Sequence, residues 1–145
     1  MLVLLAMLIV TYVRLGTGRM AAPATETWAA RLPFSIYLGW ITVATVANAT
    51  SLLDYLRWDG WGIGPEIWMS LVLAAVLVIA ALMSLTRRDV AFVVVILWAL
   101  AGISAKYASV AAVAIPTWTT FGLVALTLAA AFFVRKSGRK PGAAA

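Results

Sequence analysis

The chain has 145 residues, of which 65% are hydrophobic and only 11% charged, against about 25% charged in ordinary soluble domains. Its net charge is +6 and it holds no cysteine and no histidine, which excludes a disulfide framework, a thiolate metal site, and the commonest haem and zinc ligand. The eleven basic residues gather at the ends of apolar runs and form no spread basic face, so nucleic acid is not an expected partner.

Met1–Val13 opens the chain with an apolar run. As a helix it spans about 20 Å at ~1.5 Å per residue, short of the ~30 Å hydrocarbon core of a bilayer. It is read either as a truncated or tilted transmembrane helix or as an interfacial segment. A signal peptide fits less well, because the positive charge follows the run instead of preceding it. Four longer apolar runs follow, Pro33–Leu53, Ile67–Thr86, Val90–Ala114 and Thr117–Val134, each close to the roughly 20 residues that a crossing helix needs. A water-soluble chain of this size could not bury four such runs. The expected fold is therefore all-α: a polytopic transmembrane helical bundle of about five membrane-crossing helices, the first one short. It forms a single integral-membrane domain with helices near 1–13, 33–56, 66–86, 90–114 and 117–134, and a basic tail over 135–145.

In the second run, Tyr37, Trp40, Ala44, Asn48, Ser51 and Tyr55 are spaced 3, 4, 4, 3 and 4 residues apart, so they share one side of a helix. An unsatisfied amide in hydrocarbon costs several kcal/mol, so Asn48 predicts that this side points into the bundle. It serves there either as polar glue between helices or as the wall of a cavity for a flat, mostly apolar ligand. The sequon Asn48-Ala49-Thr50 falls at membrane depth and is not expected to be used.

The next segment, Asp54–Glu66, contains Asp59-Gly-Trp-Gly-Ile-Gly-Pro, which follows no strand and lacks the Lys-Ser/Thr of a phosphate loop. It is expected to be a tight re-entry turn, with Pro65 and Glu66 opening the third helix. Trp58, Trp61, Trp68 and Trp118, four of the seven tryptophans, fall at expected outer helix ends. They suit an aromatic belt at the headgroup level, with the alternative that Trp58 and Trp61 fold over a ligand entrance.

The fourth run places Trp98, Ala101, Gly102, Ala105 and Ser109 on one face, a groove suited to close helix packing. Lys106 lies beside it, ~24 Å along the helix from Val90, and either snorkels to the interface or pairs with Asp54. The last gap is expected around Ile115–Pro116. All five acids lie at helix ends or in gaps, so no catalytic residue and no metal ligand set is expected, and the protein is not expected to be an enzyme.

Nine of the eleven basic residues lie in the first gap (Arg14, Arg19, Arg31), the third gap (Arg87, Arg88) and the tail (Arg135, Lys136, Arg139, Lys140). The positive-inside bias then places the N-terminus outside and the C-terminus in the cytoplasm, in the cell's inner or plasma membrane, with five crossings.

The stretch Leu32–Asn48, with Pro33, Tyr37, Leu38, Trp40, Ala44 and Asn48 at their places, resembles the last core helix of the TspO/MBR family, the tryptophan-rich sensory proteins. Asp59-Gly-Trp, Arg88-Asp89 and Trp98-Ala-Leu-Ala-Gly-Ile are similar to a longer branch in which extra helices follow that core. The resemblance implies a membrane protein that binds a planar apolar ligand such as a tetrapyrrole (porphyrin or haem) or a sterol-like molecule, in a sensory or regulatory role. Tyr37, Trp40, Ala44, Asn48 and Tyr55 would be ligand-binding residues, and Trp58, Trp98, Gly102 and Lys106 packing or entrance residues. Its departure from the family is the missing first three helices and their Trp-rich first loop. This implies either oligomerisation or a longer parent chain, and it leaves a second possibility: a structural or accessory subunit with no ligand of its own. A sterol-recognition pattern follows this helix in the family; Leu53–Arg57 fits it, but so does Val10–Arg14, which shows how permissive the pattern is.

Overall fold

Turn-forming residues set the ends of five helices. The computed structural model describes residues 1–137, with side chains to residue 133, and every regular element among these residues is helical. Helix α1, Leu2–Arg14, ends where Gly16 and Gly18 take positive φ, which carries the chain away from the helix axis. Helix α2, Ala24–Tyr55, passes through a π-helical turn at Thr27–Arg31. Helix α3, Pro65–Arg87, begins with proline, whose fixed φ suits the first helical position, and ends in a second π-helical turn, Met83–Arg87. Arg88 then adopts the left-handed conformation at φ 53°. Asp89 caps α4, Val90–Lys106, by accepting a hydrogen bond from the Phe92 amide at 3.0 Å. Helix α5 is Ala111–Ser137.

The helices pack in the spatial order α1, α2, α4, α5, α3. Helix α4 is the centre of the bundle, flanked by α2 and α5, and its Phe92, Val93, Ile96, Leu100 and Ser104 are buried. In lipid the association of such helices depends on close packing more than on hydrophobicity, and the closest approach is at Gly39 of α2. A Cβ there would stand 3.2 Å from the Phe92 carbonyl oxygen and 3.1 Å from Val95 Cβ. Three helices, Ala24–Tyr55, Pro65–Arg87 and Ala111–Phe133, are long and apolar enough to cross a membrane, while Leu2–Arg14 and Val90–Lys106 are shorter apolar helices. Only 17–22% of the residues in the three long apolar windows are buried, so most of their apolar surface faces outward, as a bilayer allows and water does not.

Three boundaries depart from expectation. Helix α2 starts nine residues before Pro33, at Ala24, because the polar turn is folded on itself: Arg31 Nε donates to Glu26 Oε1 at 2.9 Å and its Nη1 to the Met20 carbonyl, burying the guanidinium. The last break lies at Tyr107–Val110, not at Ile115–Pro116, and Pro116 is inside α5. So close to the helix start, proline removes a single bond, the one that the Ala112 carbonyl would have accepted. The fourth helix accordingly ends at Lys106 instead of Ala114. The expected basic tail lies outside the described residues beyond Ser137, and the N-terminal run is a helix of 13 residues, Leu2–Arg14.

Candidate functional site

Tyr37, Trp40, Ala44, Asn48 and Tyr55 do share one side of α2, but that side does not point into the bundle. Trp40 is 46% exposed and Tyr55 83%; Tyr37 and Asn48 are exposed and Ala44 half-buried. The buried side is formed instead by Ser35, Leu38, Gly39 and Ile41, with Gly39 set against α4. The inference from Asn48 fails for a local reason. Its Nδ2 donates to the Ala44 carbonyl one turn back at 2.8 Å, so the amide finds a partner within its own helix and needs none across the bundle. Thr42 and Thr45 do the same with Leu38 and Ile41.

The face is not featureless, because it borders the α2–α4 seam. There Trp40 meets Trp98, 58 residues later in the chain, with ring centroids 5.6 Å apart and planes inclined at 46°, a favoured aromatic geometry. Trp98 is 64% exposed. It stands at the middle of α4, ~12 Å from either end at ~1.5 Å per residue, and Trp40 lies ~12 Å from Leu32 along α2. Indole rings ordinarily gather at the headgroup level, where the N–H finds an acceptor. This pair sits midway along its helices, and neither indole N–H has a partner among the described residues. The exposed Tyr37 lies one turn before Trp40 on the same side of α2, and the exposed Asn48 lies two turns after it, so the pair belongs to an open aromatic platform on that side.

The remaining expected site residues separate from this platform. A Cβ on Gly102 would meet nothing within 4 Å, so no helix approaches there. Ser109 falls outside α4 altogether, and the proposed small-residue groove is open surface. Lys106 is exposed and its Nζ lies 5.3 Å from the Tyr107 ring centroid, with no ion pair to Asp54 among the described residues. Trp58, Trp61 and Trp68 pack on one another at centroid distances of 5.1–6.0 Å. Trp68 Nε1 donates to the Gly60 carbonyl at 3.0 Å, and Asp59 accepts from the Trp61 amide at 3.0 Å. These contacts close the Asp54–Glu66 turn into an aromatic knot at one end of the bundle. A larger open groove of about 430 Å³ runs between α3 and α5, lined among others by Ser70, Leu77, Ile115 and Pro116; none of the expected site residues borders it.

One polar cluster had no counterpart in the expectations. Tyr12 Oη donates to Asp89 Oδ2 at 2.7 Å, and both side chains are buried. Arg87 lies over the Tyr12 ring at 5.5 Å and its Nη1 reaches the Thr17 carbonyl at 3.3 Å. Gly18, at φ 76°, presses against Arg87 so closely that a Cβ would fall 1.8 Å from its carbonyl oxygen. The α3–α4 turn is thereby clasped to the end of α1. In the sequence the only hint was a lone acid, Asp89, in an otherwise basic turn, with a tyrosine near the charged end of another apolar run.

The family model described as TSPO-like protein matches residues 1–134 of the chain. No curated protein and no solved structure matches it.

Proposed function

The chain belongs to the TSPO-like protein family and is an integral membrane protein, and on that footing we propose that it binds a planar apolar ligand, a tetrapyrrole or a sterol-like molecule, on the Tyr37–Trp40–Trp98 platform. The supporting observation is the exposed Trp40–Trp98 pair at 5.6 Å. Two mid-helix indoles with free N–H groups offer stacking surface and two donors where lipid tails supply no acceptor. A flat ligand carrying a carbonyl or carboxylate satisfies both needs. Tyr37 and Asn48 flank the platform; Ala44 lies between them along α2 and leaves room for the ligand, and Tyr55 marks its end. The platform has one wall, so the opposite wall comes from another polypeptide, a second copy or partner helices. The activity is binding in a sensory or regulatory role, not catalysis. The basic segments set the orientation, with the Arg87–Arg88 turn and the tail in the cytoplasm and the N-terminus outside, in the cell's inner or plasma membrane.

The test is a titration of the protein in lipid nanodiscs with protoporphyrin IX, followed by tryptophan fluorescence. The wild type is expected to show saturable quenching. Each of Trp40→Leu, Trp98→Leu and Asn48→Leu is expected to weaken binding three- to tenfold, in line with the ~0.5–1.5 kcal/mol of a single aromatic contact or hydrogen bond. Quenching that is unsaturable, or unchanged by these substitutions, favours the competing reading, an accessory subunit whose exposed α2 face docks other helices.

A further inference from the structure

A small pocket lies at the Arg87–Asp89 end of the bundle, away from the tryptophan platform. It holds about 100 Å³ between the end of α3 and the second half of α5, lined by Ser84, Arg88, Val90, Leu128, Ala131 and Phe132. An apolar cavity of about 150 Å³ accepts benzene, so this one suits a compact group and not a ring system. Its floor is polar. Ser84 is fully buried, and its Oγ has no hydrogen-bond partner among the described residues. Other helical hydroxyls on α3 satisfy themselves one turn back, Ser70 on the Glu66 carbonyl at 2.8 Å and Thr86 on the Leu82 carbonyl at 2.6 Å. Ser84, in the π-helical turn Met83–Arg87, does not, and leaves a donor and an acceptor beside the pocket.

At the rim stands Arg88, exposed and held in the left-handed conformation at φ 53°. Asp89, the adjacent carboxylate, forms no ion pair with it among the described residues, and its two oxygens accept from Tyr12 Oη and from the Phe92 amide. The opposite wall, Leu128 and the 56%-exposed Phe132 of α5, is apolar and opens toward the hydrocarbon. A buried hydroxyl and a guanidinium with no partner among the described residues suit a phosphate, and the apolar wall beside them suits an acyl chain, at the end of a membrane bundle. Basic pockets between transmembrane helices bind anionic head groups on this principle, and guanidinium takes phosphate bidentately.

We propose that this pocket binds the phosphate of an anionic phospholipid, held by Arg88 and Ser84, with an acyl chain lying along Leu128 and Phe132. The site is independent of the tryptophan platform and of what that platform binds.

The test is a thermal unfolding series of the full chain in neutral detergent with added phosphatidylglycerol, phosphatidylcholine or inorganic phosphate, paired with native mass spectrometry of retained lipid. Phosphatidylglycerol is expected to raise Tm saturably and to remain as a discrete adduct, with neither phosphatidylcholine nor millimolar phosphate doing so. Arg88→Asn, which tolerates the left-handed conformation, is expected to weaken the phosphatidylglycerol effect about tenfold, and Ser84→Ala about threefold. Arg19→Gln, an exposed charge outside the pocket, is expected to change it less than twofold. Equal losses in Arg88→Asn and Arg19→Gln would show diffuse charge attraction and overturn the site. Stabilisation by phosphate alone would overturn the lipid assignment. Should Arg88→Asn fail to fold, an unaltered lipid response in Ser84→Ala is sufficient to reject the proposal.

Discussion

At the end of the bundle, Tyr12, Thr17, Arg87 and Asp89 come from two separate stretches of chain and bond to one another, hydroxyl to carboxylate, carboxylate to helix amide, guanidinium to carbonyl, with the buried Thr17 hydroxyl alone lacking a partner among the described residues. Midway along two helices, Trp40 and Trp98 touch at 5.6 Å, leave their N–H groups without a partner among the described residues, and are 46% and 64% exposed. Both regions are rare polar features in an apolar protein, yet the chemistry divides them. A network bonded across the chain spends most of its polar groups on holding the fold. An open one keeps them for something that is not part of the chain. The closed cluster is therefore structural, and the platform is where a ligand is expected.

Substitutions can break or sharpen this contrast. The largest effect is expected at Gly18, where a Cβ would fall 1.8 Å from the Arg87 carbonyl oxygen and the backbone is at φ 76°. Gly18→Ala combines a backbone clash with left-handed strain and should lower stability by about 3 kcal/mol in a detergent unfolding assay, with porphyrin affinity per folded molecule unchanged. A loss under ~1 kcal/mol would mean that the Gly16–Gly18 turn does not clasp Arg87 as described.

Next comes Asp89. Asp89→Asn keeps the side chain's size but weakens both of its hydrogen bonds, and leaving a buried partner poorly paired costs about 1–3 kcal/mol. Combined with Tyr12→Phe in a double-mutant cycle, it should show a coupling of roughly 1 kcal/mol or more. Simple additivity would argue that the 2.7 Å contact contributes nothing to the fold. The smallest stability effect is expected on the platform itself. Trp98→Leu exchanges one apolar surface for another in lipid and loses one aromatic contact, so it should move stability by less than ~1 kcal/mol, while ligand quenching falls as above. A stability loss as large as that of Asp89→Asn would place Trp98 among the structural residues and erase the distinction between the two regions.

The positions of helices were largely open to reading from the chain, and the orientation of their faces was not. Pro65 starts α3, the Arg87–Asp89 group separates α3 from α4, and Leu2–Arg14 is a helix, all from local chemistry that acts within a turn or two. Pro116 misled because a proline near a helix start removes little, whereas the real break at Tyr107–Val110 carries no strong breaker. Asn48 misled because its amide is satisfied one turn back on α2, an option that spacing does not reveal.

Composition alone decided that this chain lives in lipid, since apolar residues surround its helices on every side and no water-soluble core could take them up. That same uniformity hides which side packs. Where lipid tails are as apolar as leucine, burial is not paid in hydrophobicity, and the inner face is chosen by fit: Gly39 against the Phe92 backbone, Tyr12 finding Asp89 across 77 positions of sequence. Only the three-dimensional arrangement could turn the Tyr37–Asn48 side outward and set Trp98 beside Trp40.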